Sequence, residues 1–172
     1  MQGPELAQFL RSDQRTNNYF VGIYPCDRIP VEVNRPCCLV INTDSASEAG
    51  VHWVAVYIDA WGKGVYFDSY GFEPLDPAVR AFLKQNTRVW HYNSEPIQNV
   101  LSDRCGYYCL CFLTKVARGY TLRELMRVFD VRKPHQNDIR VTQWFHRQYK
   151  SKFHRNTRRQ LCRQNGILCF RR

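Results

Sequence analysis

Val51-His52-Trp53-Val54-Ala55-Val56-Tyr57-Ile58, then Trp61-Gly62-Lys63-Gly64, then Val65-Tyr66-Phe67-Asp68-Ser69-Tyr70, reads as a strand, a glycine turn and a return strand. His52 is out of place in the first arm, because Val51 and Trp53 flank it and a bare core strand would not want an imidazole. Folding the hairpin about Gly62 sets 54–58 opposite 65–68, so His52 and Asp68 are expected to be cross-strand or diagonal neighbours.

Upstream, Cys37-Cys38-Leu39-Val40-Ile41-Asn42 is a continuous apolar run, the pattern of a mid-sheet strand covered on both faces. Thr43 to Gly50 is polar and turn-rich. Tyr19-Phe20-Val21-Gly22-Ile23-Tyr24 reads as an extended segment ended by Pro25 and Asp27, and Glu5 to Arg11 as a short helix with Leu6, Phe9 and Leu10 on one face.

Downstream, Asp76-Pro77 opens a helix over Ala78 to Lys84, and Thr87 to Tyr92 suits an edge strand. After the loop Asn93 to Arg104, Cys105 to Ala117 is apolar enough for a buried helix, with Gly119 as its stop signal. Thr121 caps Leu122 to Phe129 with Glu124 as its capping-box partner, and an amphipathic segment runs from Asp138 to about Lys150. There is no internal repeat and no Pro- or Ser-rich linker.

A chain of 172 residues suits one compact domain, at roughly 100 to 200 residues per domain. Hydrophobic residues at 44% and aromatics at 14% exclude wholesale disorder, collagen-like repeats and coiled coil. No apolar run reaches the roughly 18 residues needed to cross a bilayer. The first thirty residues lack a basic start followed by an apolar stretch, so an intracellular protein is expected rather than a secreted one, without membrane attachment. The charge is unevenly spread. Of 25 Lys and Arg and 15 Asp and Glu, residues 139–172 hold 10 basic and no acidic ones, leaving 15 of each sign in 1–138. Such a basic block attracts a polyanion, nucleic acid first.

Eight cysteines permit a disulfide framework, but Cys37 and Cys38 are adjacent and Cys105, Cys109 and Cys111 share one apolar run, so reduced core thiols are expected. Cys105, Cys109, Cys162, Cys169 and His154 lack the paired two-residue gaps of zinc fingers or ribbons, and no metal is expected.

Cys105 is chemically placed. It opens a helix, where unpaired amides and the macrodipole favour thiolate over thiol, and its own N–H points at a developing oxyanion. Gly106 beside it would admit a substrate backbone. His52 supplies a base, Asp68 an orienting carboxylate, and Gln98, seven residues before Cys105, a second oxyanion donor.

The order His52, Asp68, Gln98, Cys105, with Gly50-Val51-His52-Trp53 around the histidine and Cys105-Gly106 at the nucleophile, resembles the adenovirus-type cysteine endopeptidases, the adenain family. Tyr19 to Tyr24 and Cys38 to Thr43 extend the resemblance, which covers about residues 5–115. It implies an α+β fold in which a central mixed or antiparallel sheet packs on the nucleophile's helix. It also implies a protease domain over 1–150, with 151–172 a basic tail, and cleavage of viral or mobile-element precursor proteins during particle maturation in the host nucleus and virion. Trp53 and Gly106 would then line the substrate groove.

The resemblance further implies activation by DNA, with Arg147, Lys150, Lys152, Arg155, Arg158, Arg159 and Arg163 as contacts, and by a viral peptide, with no cofactor needed for the chemistry and a monomeric enzyme. Thr87 to Ser94 holds no cysteine, so disulfide linkage of that peptide is not expected. The wider clan includes SUMO-deconjugating proteases, which leaves a peptidase of ubiquitin-like modifiers as one alternative. A DNA-binding protein on a degenerate protease scaffold is the other.

Overall fold

The computed structural model describes residues 1–164, with side chains to Tyr149. Its elements are α1 (Gly3–Ser12), α2 (Gln14–Asn17), β1 (Phe20–Pro25), a 3-10 turn (Cys26–Arg28), β2 (Cys37–Asn42), β3 (Trp53–Ile58), β4 (Lys63–Phe67), α3 (Pro77–Asn86), β5 (Val89–Tyr92), α4 (Cys105–Val116), α5 (Leu122–Met126) and α6 (Pro134–Gln164). The five strands form one mixed sheet in the order β1-β2-β3-β4-β5. The β2/β3 and β3/β4 pairs are antiparallel, and the two outer pairs are parallel. The fold is therefore α+β.

Strand periodicity divides the core into two layers. Cys38, Val40, Ala55, Val65 and Phe67 face α1, α4, α5 and α6, whereas Cys37, Leu39, Ile41, Val54, Val56 and Tyr66 face α3 and the 3-10 turn. Both faces are covered, which is why β2 is apolar without alternation. Phe67 stacks on Phe112 with centroids 4.7 Å apart, fixing the end of β4 against α4. Such aromatic pairs add about 0.5–1.5 kcal/mol beyond area burial.

Asp76 accepts from the Ala78 and Val79 amides and starts α3 with Pro77 in the first turn. Thr121 and Glu124 form the expected capping box, although α5 ends at Met126 rather than Phe129. The last helix starts at Pro134, four residues before the expected Asp138. Its entry is built by the buried Asn137, which accepts from the Asp130 amide and donates to the Asp130 and Ile97 carbonyls, an arrangement local periodicity cannot show. The expected boundary at residue 150 falls inside α6.

Two further expectations change. Asp68 lies beyond β4 rather than within it, because the Gly71 amide donates to the Asp68 carbonyl at 2.9 Å and Gly71 adopts φ +75, closing a turn over Asp68-Ser69-Tyr70-Gly71. His52 likewise precedes β3, its carbonyl held by the Thr43 amide at 3.0 Å.

Asp13 ties the opening helices to α4. It caps α2 through the Thr16 amide and pairs with Arg118 through both carboxylate oxygens, at 3.1 and 2.7 Å. Asp13 is buried and Arg118 is about one-third exposed, so part of the Coulombic gain is screened. Asp13→Ala is expected to lower stability by about 2–3 kcal/mol through loss of the cap and of charge-assisted bonds, read as a lower urea midpoint at unchanged slope.

Candidate active site

Three elements converge on one edge of the molecule: the end of the β2–β3 ladder, the turn after β4, and the first residue of α4. His52 Nε2 lies 2.7 Å from Asp68 Oδ1, with the histidine side chain 14% exposed and the carboxylate 4%. That bond leaves Nδ1 as the ring nitrogen available to the Cys105 thiol, which lies near enough to act on the imidazole's proton affinity. Burial alone would lower the His52 pKa, but the hydrogen bonds to Asp68 and Cys105 and the two charges outweigh it and raise it to about 9.

Cys105 is the first residue of α4, so its amide belongs to the set that has no intrahelical acceptor. Cys109 and Cys111 lie deeper in the same helix. Burial pushes both thiols up, Cys111 to about 12, and Cys109 Sγ donates to the Trp53 carbonyl at 3.3 Å. All six described cysteines are free, and among the described residues no group of three His, Cys, Asp or Glu is placed to hold a metal.

A cleft of about 470 Å³ opens at Cys105. Met1, Gly3, Gly50, Val51, Trp53 and Asp103 contribute to its walls. Trp53 is thus at the groove, where its indole N–H donates to the Met1 carbonyl at 3.2 Å. Gly50 must be glycine: it has φ +79, and a Cβ there would lie 2.6 Å from Asn42 Nδ2. Gly106, expected at the groove, is buried under the N-terminal segment instead. A Cβ on it would meet Leu6 Cδ2 at 3.2 Å and Met1 Cβ at 3.4 Å, so its small size serves the packing of α1 on α4.

Gln98 is buried, and its amide is fully engaged. Oε1 accepts from Ser69 Oγ at 2.6 Å, while Nε2 donates to the Ser102 carbonyl at 2.7 Å and to the Tyr70 hydroxyl at 3.1 Å. Arg147 is exposed on α6, well along the chain from the cleft residues; the side chains of Lys150, Lys152, Arg155, Arg158, Arg159 and Arg163 lie outside the described residues.

Sequence reasoning passed over two residues. Asn93 is buried and brackets Asp68, accepting from its amide at 3.0 Å and donating to its carbonyl. Tyr70 stacks on His52 and gives its amide to Asp68 Oδ1 at 2.8 Å. The Asp-x-x-Gly spacing of 68–71 is the signal that marks this turn. Nothing local marks Asn93.

No protein-family model matches the chain. A protease of Bovine adenovirus 4 is 28% identical over 129 residues, 63% of this chain and 61% of that protein. A cysteine protease of African swine fever virus is 33% identical over 96 residues, 47% of this chain and 35% of that protein. The crystal structure of the African swine fever virus protease superposes with a TM-score of 0.52 at 20% identity, covering 77% of this chain and 64% of that one, and so shares its fold. The chain is similar to these viral proteases in sequence and shares the fold of the African swine fever virus one. It spans about three fifths of the bovine adenovirus relative and about a third of the African swine fever virus one.

Proposed function

We propose that this chain is an adenain-like cysteine endopeptidase that cleaves precursor proteins during maturation of a viral or mobile-element particle. The observation that carries the reading is the line of contacts from Asp68 through His52 to Cys105 at a helix N-terminus on an open cleft. Names of relatives agree: the adenovirus ones are proteases and the African swine fever virus one a cysteine protease.

The chemistry follows from the groups. His52 takes the Cys105 proton, and the thiolate attacks the scissile carbonyl carbon, placing the carbonyl electron pair on oxygen. The Cys105 amide holds that oxyanion, joined by Gln98 Nε2 once it releases one of its two resting acceptors. The C–N bond breaks as His52 returns the proton to the leaving amine, giving a thioester. Water then attacks with His52 as base and frees the acid and the thiol. Asp68 keeps the ring oriented and stabilises its protonated form. Trp53 and the other cleft walls receive the peptide.

The reading includes DNA as an activating polyanion on the basic C-terminal stretch, a viral peptide held without a disulfide, a monomeric enzyme, and work in the host nucleus and the particle. A second reading, a peptidase of ubiquitin-like modifiers, draws on African swine fever virus relatives named SUMO-1 cysteine proteases.

Mass spectrometry of a peptide library, incubated with and without DNA, tests the proposal. Internal cuts that DNA accelerates support it. No cut by the wild type in either arm overturns it, and release of a ubiquitin-like protein from a conjugate, with no library cleavage, favours the second reading. Deleting residues 151–172 is expected to weaken DNA binding and to flatten its dependence on salt, since each lost phosphate contact removes about 0.9 from the log–log slope. An unchanged slope assigns the tail elsewhere.

A further inference from the structure

Tyr70 donates no proton in the proposed chemistry and binds no substrate in it, yet it touches both halves of the machinery. Its ring stacks on the His52 imidazole, centroids 4.7 Å apart and planes at 29°. Its amide donates to Asp68 Oδ1, the same oxygen that holds His52 Nε2. Its hydroxyl accepts from Gln98 Nε2 at 3.1 Å and donates to the Ser102 carbonyl at 3.3 Å. We propose that Tyr70 is a positioning residue that ties the orientation of His52 to that of Gln98. The inference rests on the endopeptidase reading and deepens it.

The ring and the hydroxyl have separable effects. Three groups face the imidazole: Asp68, Cys105 and the Tyr70 ring. The ring blocks rotation of the imidazole away from Asp68 and keeps water off the pair, and its π face favours the protonated form.

The hydroxyl acts on Gln98. Ser69 fixes which end of the amide is the nitrogen, and both Nε2 hydrogens are then spent, one on Ser102 and one on Tyr70. An oxyanion forming at Cys105 must take one of them. The Tyr70 bond is the longer, and a neutral phenol is a weaker acceptor than a charged oxygen. Burial, followed by the charges of Cys105, Asp68 and Asp138, pushes the Tyr70 phenol above its ordinary range, so this acceptor stays neutral. The hydroxyl therefore holds the amide in place at rest and yields its hydrogen as the transition state forms. Without it the donor is no longer preorganised.

Two substitutions, read against Gln98→Ala, test this. Tyr70→Phe keeps the stack and loses the hydroxyl. It is expected to lower kcat about five- to tenfold at unchanged KM, the effect of one neutral hydrogen bond, and to leave the pH profile alone. In the Gln98→Ala background it should do nothing more. Tyr70→Leu removes the ring as well and should also move the alkaline limb of kcat/KM to lower pH. Wild-type kcat in Tyr70→Phe, equal losses in both backgrounds, or an unmoved limb in Tyr70→Leu would each overturn the inference.

The pH dependence of Cys105 alkylation by iodoacetamide needs no turnover and is read on the same chains: Leu must move it and Phe must not. A wild type that alkylates in this pattern but cleaves nothing ends the endopeptidase reading and leaves the hold of Tyr70 on His52 standing. Cleavage by a wild type whose Tyr70→Leu variant keeps both profiles ends the inference alone.

Discussion

Cys105→Ala is expected to lose at least about 10⁴-fold in kcat/KM on any peptide the wild type cuts, because Cys105 is the one thiol among the described residues that line the cleft. The fold should survive. The substitution removes one sulfur atom at the rim of the cleft, and unfolding free energy is expected to stay within about 1 kcal/mol of the wild type. Cys105→Ser sharpens the test, since it keeps the shape and replaces sulfur with oxygen; a comparable collapse in rate assigns the requirement to sulfur chemistry.

Alkylation should select the same residue. Cys37, Cys38, Cys109 and Cys111 are buried with their thiols pushed up by desolvation, so near neutral pH iodoacetamide should label Cys105 ahead of them. Turnover retained in Cys105→Ala, or loss of activity that tracks a different labelled cysteine, removes this residue from the role of nucleophile.

Which parts of this arrangement can be read from the chain depends on the range of the forces that set them. The run Cys37 to Asn42 and the hairpin around Gly62 are legible because strand burial is written in local hydrophobicity, and both arms fall in the sheet as expected. The capping box of Thr121 and Glu124 is legible because capping is a three-residue event.

His52 and Asp68 were expected inside strands and instead flank them, since the strand ends are set by Gly50 and Gly71, both at positive φ, rather than by apolar content. The position of Gly106 was legible and its use was not. What crowds it is Leu6 and Met1, about a hundred residues earlier in the chain. Asn93 and Tyr70 escaped for the same reason: each acts on a residue brought in by the turn after β4 or by the loop before α4, and polar loop residues carry no periodicity to betray such contacts.

Asp68→Asn is expected to lower kcat about 10³-fold, a large loss but smaller than that of His52→Ala, which removes the base itself. The amide is isosteric, the Asn93 bonds that hold the main chain at 68 do not depend on the charge, and an amide oxygen can still accept from the Tyr70 amide, so the site keeps its shape. What changes is the proton affinity of His52. In the wild type burial acts to lower it, and the bonds and charges of Asp68 and Cys105 raise it to about 9.

The ring is therefore protonated below that pH, and the rate should fall on an alkaline limb near it as the imidazolium loses its proton. With asparagine the carboxylate no longer opposes burial, only Cys105 does, and the sign of the change is fixed: the limb must move to lower pH. An amide nitrogen turned toward Nε2 would in addition favour the tautomer with hydrogen on Nδ1, the wrong one to receive the Cys105 proton. A pH profile of kcat/KM on one peptide checks both effects. A limb that stays near the wild-type value while kcat falls would mean that Asp68 serves packing rather than the charge on His52.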